Sequence, residues 1–146
     1  MRSKSLDNNR KTFLVWAVVV VGASLRMLAS LRGYNYDVES FRIVADIVSS
    51  SGNVYVETHR YNYSPIWFHI LHYLDVIPFF NADGMEFFRI KIALFLTIVD
   101  LGLFIFLLKR YSLWVAALFF LNPISIIITG YHSQFDNIAI LLALIS

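Results

Sequence analysis

The sequence predicts an all-helical, multi-span membrane protein, and three observations carry that prediction. Hydrophobic residues make up 58% of the 146 residues and charged ones 15%. A soluble domain this small has too much surface for so little polar material. Two apolar runs, Thr12–Leu31 and Ile90–Leu108, are each long enough, at about 1.5 Å per helical residue, to cross a hydrocarbon core ~30 Å thick. Basic residues sit at the ends of those runs: Arg2, Lys4, Arg10 and Lys11 before the first, Lys109 and Arg110 after the second. That placement says more than the formal net charge of +2, which gives no reason to expect a nucleic-acid partner. The absence of cysteine excludes disulfides and thiolate chemistry.

Taken in order, the N-terminus resembles the basic and apolar regions of a secretory signal. Yet the run Thr12–Leu31 has the length of a span, and Ala29-Ser30-Leu31-Arg32 is a poor small-x-small cleavage site. A retained anchor with a cytoplasmic N-terminus is expected. Arg26, near its far end, has a stem long enough to snorkel to the outer headgroups, or it binds an anionic substrate.

The outer loop, residues 33–80, should hold two helices that do not span. Val38, Phe41, Ala45 and Val48 recur at helical spacing, widened by Ile43, Val44 and Ile47, with Glu39, Arg42, Asp46 and Ser49 opposite. This pattern is an amphipathic helix lying in the interface, ended by Ser49-Ser50-Ser51-Gly52-Asn53. The apolar run Pro65–Phe80 contains His69, His72 and Asp75. It is short and polar for a span and reads as a second interfacial or re-entrant helix.

After a turn at Ala82-Asp83-Gly84 comes the span 90–108 and the tight basic connection Lys109-Arg110-Tyr111. A further apolar segment, 113–128, carries Asn122-Pro123, where proline should kink the helix. Gly130–Asn137 then breaks the run before an incomplete span from Ile138, so a longer, truncated protein is expected. Placing Lys109 and Arg110 in the cytoplasm puts 33–63 and 130–137 on the same outer face, provided that 65–80 does not cross.

The candidate chemistry lies in those two clusters. Asp37 and Glu39, two residues apart at a membrane surface, suit a general base or a cation site. Asp37 also suits the N-cap of the amphipathic helix, with Glu39 in its first turn. Arg60 can grip a phosphate, and Tyr61 and Tyr63 can stack on a sugar ring or sit at headgroup level. In the second cluster His132 is a hydrogen-bonding residue more readily than a metal ligand, and no metal site is expected. Gln134 is polar and Asp136 can cap the next helix. Asp100, in mid-span, should face a partner or a cavity rather than do chemistry.

Together these residues resemble a family, the GT-C glycosyltransferases. Asp37-Val38-Glu39-Ser40 is similar to the D-[FY]-E-A of the glucosyltransferases that act on lipid-linked oligosaccharide, Tyr63-Ser64-Pro65 to their Y-P-P, and His132-Ser133-Gln134-Phe135-Asp136 to their H-F-Q-Y-N. GPI-type mannosyltransferases and their bacterial relatives are also similar. Ser64 replaces a proline of that pattern and Asp136 an asparagine. The resemblance covers residues from Gly33 onward, with the first span matching in position only.

The resemblance implies a GT-C-like N-terminal module in a bacterial or archaeal plasma membrane. It implies inverting transfer of a hexose from a polyprenyl-phosphate sugar donor to a lipid or glycan acceptor, on the extracytoplasmic face. Asp37 would be the base and Glu39 its neighbour, with Arg60, Tyr61, Tyr63, His132, Gln134 and Asp136 binding substrate, and no cofactor. The alternative is a non-catalytic transporter or assembly subunit in which Asp100 and Arg26 line a path.

Overall fold

The computed structural model describes residues 2–32, 35–78 and 84–146, with side chains from residue 8 onward. The expectations at Gly33, at Phe79–Phe80 and at Ala82-Asp83 lie outside the described residues. Those residues contain helices and no strand. The helices are α1 (Arg2–Ser30), α2 (Tyr36–Ser49), α3 (Val54–Glu57), α4 (Pro65–Val76), α5 (Met85–Arg110), α6 (Leu113–Phe120) and α7 (Pro123–Ile126). A π-helical turn (Ile127–His132) and α8 (Asp136–Ile145) complete the chain.

Among the described residues two helices are long and apolar enough to cross a membrane, over Asn8–Ser30 and Met85–Arg110. They become three if α6 and the segment Pro123–His132, bent by 48°, form one broken span. The bend has a local cause. Proline has no N–H to give and cannot continue α6, and the Asn122 side chain starts a new helix by accepting from the Ile124 N–H at 2.9 Å. The single segment expected over 113–128 is therefore two helices and a π turn. The helix from Pro65 stops at Val76 and is not among the helices long enough to span. Large apolar side chains project outward from the long helices, among them Phe13, Trp16, Ile98, Trp114 and Leu118. This is the surface that bilayer solvent tolerates and water does not.

α1 and α5 run antiparallel. Val15, Val18 and Val19 pack near Leu107, Leu108 and Leu113 around a core of Phe104, Ala116 and Phe120, while at the other end Arg89 Nη2 donates to the Arg32 carbonyl at 2.7 Å. Arg10, Lys11, Lys109 and Arg110 thus collect at one end of the bundle. The helices of the first loop collect at the other, over Phe88, Ile92 and Leu96 of α5.

α2 is amphipathic as its spacing predicts, but its apolar face is covered by protein, not by lipid. Val38, Phe41, Val44 and Ala45 are buried against Trp67 and Leu71 of α4 and the start of α5. Across the α2–α4 contact Arg42 pairs with Asp75. The expected N-cap at Asp37 is corrected: α2 begins two residues earlier than that reading requires. Asn35 is the cap, its Oδ1 accepting from the Val38 N–H at 2.9 Å, and Asp37 lies in the first turn.

Gly130 marks the tightest backbone approach. A Cβ there would lie 2.5 Å from the Arg26 carbonyl oxygen and 2.9 Å from Ala29 Cβ. The π turn can lie on α1 only without a side chain at this position. Gly130→Ala should destabilise the fold by about 1–3 kcal/mol, the usual cost of overpacking. A melting curve in detergent checks this, and a variant that melts like the native protein would contradict the close approach.

Candidate functional site

The two polar clusters meet. Gln134 Nε2 donates to Asp37 Oδ2 at 2.7 Å across 97 residues of sequence. Beside it Asn35 Nδ2 donates to the Tyr131 carbonyl, also at 2.7 Å. Aromatic packing fixes the approach. Phe135 stacks on Trp67 with centroids 4.5 Å apart and meets Tyr63 edge-on at 5.1 Å. Trp67 is itself held edge-on by Phe41 of α2.

Glu39 and Arg60 form a second pair, with Oε2 2.7 Å from Nη2. The Arg60 guanidinium lies 3.9 Å from the centre of the Tyr36 ring, and its Nε donates to Ser40 Oγ at 3.1 Å. The hydrogen bond to Glu39 raises the Arg60 pKa above its ordinary value. A cavity of about 220 Å³ opens between these groups, lined by Tyr36, Asp37, Ser40, Phe41, His59, Arg60, Asn62 and Tyr63. One wall is thus carboxylate and hydroxyl, another cationic, another aromatic. Such a lining can hydrogen-bond a polyhydroxylated ring, stack on its apolar face and balance negative charge.

The candidate residues divide. Asp37, Arg60 and Tyr63 line the cavity, Glu39 holds Arg60, and Gln134 holds Asp37. Tyr61 belongs to the core instead. It is 5% exposed, its hydroxyl donates to the Ser64 carbonyl at 2.8 Å, and burial raises its pKa. His132 and Asp136 are exposed and do not line the cavity. Asp136 opens α8 without a side-chain capping bond, so the expected cap is corrected to a favourable charge in the first turn. Among the described residues no group of three or more His, Cys, Asp or Glu stands close enough to hold a metal ion.

Two contributors escaped the sequence reading. Asn35 carried a signal, because asparagine caps helices as well as aspartate does. Trp67 carried none, since any aromatic in an apolar run reads alike, while Phe135 stood in the third motif without a role of its own.

A separate polar cluster lies inside the bundle. Arg26 is 0% exposed and Asp100 is 1% exposed. Arg26 Nε donates to Asp100 Oδ2 at 2.8 Å, and its other nitrogens donate to Ser125 Oγ and to the carbonyls of Gly22 and Phe120. Thr129 Oγ1 donates to the same Asp100 oxygen at 2.7 Å, and Asn137 Nδ2 to Oδ1 at 2.8 Å. Arg26 therefore does not snorkel. A partner acid in mid-bundle and the Phe120 carbonyl at the α6–α7 break make the interior a better site for it than a distant headgroup. Both residues are enclosed and bonded to each other. Compared with known proteins, the chain matches no family model, no curated protein and no solved structure.

Proposed function

We propose that the chain carries the site of an inverting membrane glycosyltransferase of the GT-C type. It moves a hexose from a polyprenyl-phosphate donor to a lipid or glycan acceptor at the extracytoplasmic surface. The observation that supports this reading best is the Asp37–Gln134 hydrogen bond. It joins two of the three motifs on which the resemblance rests, at the end of the bundle away from Arg10, Lys11, Lys109 and Arg110.

In the proposed step the acceptor oxygen attacks the anomeric carbon and the bond from that carbon to the phosphate oxygen breaks. Asp37 takes the hydroxyl proton, and the lipid phosphate leaves with the electron pair. Phosphate is already ionised and needs no acid, so one base suffices. Gln134 keeps the Asp37 carboxylate aimed, and Arg60, held by Glu39, faces developing charge on the leaving group. Tyr63 offers a ring face at the cavity mouth.

The reaction is tested with membranes containing the protein expressed from its whole reading frame, supplied with radiolabelled polyprenyl-phosphate hexoses. Transfer of label to lipid or glycan is expected, and folded protein inert toward every donor tried would remove the reading. Orientation has its own test, helped by the absence of native cysteine. Cysteine at Val56 or His132, both exposed at the loop end, should react with an impermeant maleimide in intact cells. Cysteine at Asn9 or Tyr111, exposed at the basic end, should react only after permeabilisation. The reverse pattern would put the cavity in the cytoplasm.

A further inference from the structure

Asn122 stands where an uncovered polar side chain is costly. The Phe120 carbonyl beside it accepts from Arg26, which pairs with Asp100. Asp100 lies about 15 Å along the helix axis from Arg110, and Asn122 about 15 Å from Ser112 at the start of α6. Both are therefore half-way through a hydrocarbon core of ~30 Å. Asn122 is nevertheless exposed on the outside of the bundle. Its Oδ1 caps α7 by accepting from the Ile124 N–H, but among the described residues its amide nitrogen donates to no acceptor. Lipid tails offer none. The same side chain closes a groove of about 320 Å³ lined by Trp114, Ala117, Leu118, Leu121, Asn122 and Pro123. The first four follow one another at i, i+3, i+4 and i+7, which makes a single stripe down the outer side of α6. Ala117 is half-buried and forms the floor, while Trp114 and Leu118 stand out beside it, 81% and 72% exposed. We propose that this stripe is the interface of a homodimer, in which α6 packs on α6 and the Asn122 amides of two copies hydrogen-bond across a two-fold axis along the membrane normal.

The argument for a second copy is self-complementarity. Copies inserted with one topology share their depth, so a two-fold axis along the normal brings each residue level with itself. Asparagine suits that arrangement, because its amide donates and its Oδ1 keeps a lone pair beyond the one that caps α7. An acyl chain could fill the groove but would leave the amide unpaired. A foreign helix would have to carry an acceptor to the same depth, which a second copy does by construction. The packing agrees: a small residue between two large ones lets helices approach closely, and the projecting side chains of one copy have the groove of the other to enter. In membranes, asparagine side chains are among those that bond helix to helix. The interface is remote from the cavity at Asp37 and does not rest on the proposed activity.

Self-association is measured on the protein expressed from its whole reading frame and reconstituted in phosphatidylcholine vesicles. Populations labelled at the N-terminus with a donor or an acceptor fluorophore are mixed, and energy transfer is followed as the lipid-to-protein ratio rises. Transfer should depend on acceptor fraction as a dimer requires and should fall on dilution with lipid. Asn122→Ser keeps an oxygen that can cap α7 but loses the amide. It should raise the dissociation constant by about tenfold, the order expected for two bonds between membrane helices. Ala117→Phe fills the groove and should weaken the dimer at least as much. Ile98→Ala, on the exposed side of α5 and outside the groove, should leave it unchanged. Oxidation of Leu118→Cys in membranes should give a covalent dimer and Ile98→Cys should not. Circular dichroism and melting curves establish that each variant is folded. A monomer at every ratio would overturn the proposal, since lipid or another helix would then cover the groove. So would a dimer indifferent to both Asn122→Ser and Ala117→Phe, or cross-linking through Ile98→Cys as strong as through Leu118→Cys.

Discussion

Asp100→Ala should be among the most destabilising single substitutions in this protein. It leaves the Arg26 guanidinium buried without its counter-charge, strips Thr129 of its acceptor and takes from Asn137 one of two. Removing one partner of a buried ion pair typically costs about 3–5 kcal/mol, because the other charge stays desolvated. Arg26→Met should cost a similar amount. The double variant, Arg26→Met with Asp100→Ala, should cost clearly less than the sum, since no orphaned charge remains. Thr129→Val removes one bond to a charged acceptor and should cost about 1.5–3 kcal/mol. Melting curves in detergent or bicelles give all four values, and the shortfall from additivity is the pair's coupling. An Asp100→Ala variant as stable as native, or strictly additive singles, would show that the pair does not hold the bundle together.

The location of these side chains explains why the effect should be large. Arg26 is on α1, Asp100 on α5, Ser125 on α7, Thr129 in the π turn and Asn137 on α8. In a bilayer the hydrophobic effect gives little drive for helices to associate, so polar bonds and close packing carry more of the specificity. The cluster pins the broken segment to both long helices. Gly130, whose missing side chain lets the π turn touch α1 at Arg26 itself, is the packing half of the same joint.

The long helices and the break were legible in the sequence because length, hydropathy and proline act locally. Thr12–Leu31 runs one residue past the first long helix, Ile90–Leu108 falls within the second, and Asn122-Pro123 marks the bend. The helix starting at Pro65 read as too short to cross, and it stops at Val76. Pairing was not legible. Hydropathy says that Arg26 and Asp100 are each costly in a membrane, but nothing in the chain says that they meet across 74 residues. The start of α2 was misread because Asn35 and Asp37 are equally good caps and only tertiary contacts choose. Asp37 is drawn toward Gln134, which leaves the capping to Asn35. Tyr61 read like Tyr63, its neighbour but one, because spacing does not reveal which of two aromatic rings faces the core.

That misreading changes what can be expected of Asp37→Asn. With Asn35 as the cap, the substitution should leave α2 intact, and an asparagine carbonyl can still accept from Gln134. The variant should fold, insert and bind like the native protein. What it loses is basicity, so transfer under the proposed mechanism should fall by about 10²–10⁴-fold in kcat, the usual contribution of a general base. Gln134→Ala keeps the base but frees it to rotate, and should lower kcat by a smaller factor. Glu39→Gln breaks the ion pair that holds Arg60 and should act chiefly on KM for the phosphate-bearing donor. The measurement is sugar transfer in membranes at matched expression, with kcat and KM separated for each variant. If Glu39→Gln abolished turnover while Asp37→Asn kept it, the base would be Glu39. If Asp37, Glu39 and Gln134 could all be replaced without loss, the cavity at this end of the bundle would not be where transfer occurs.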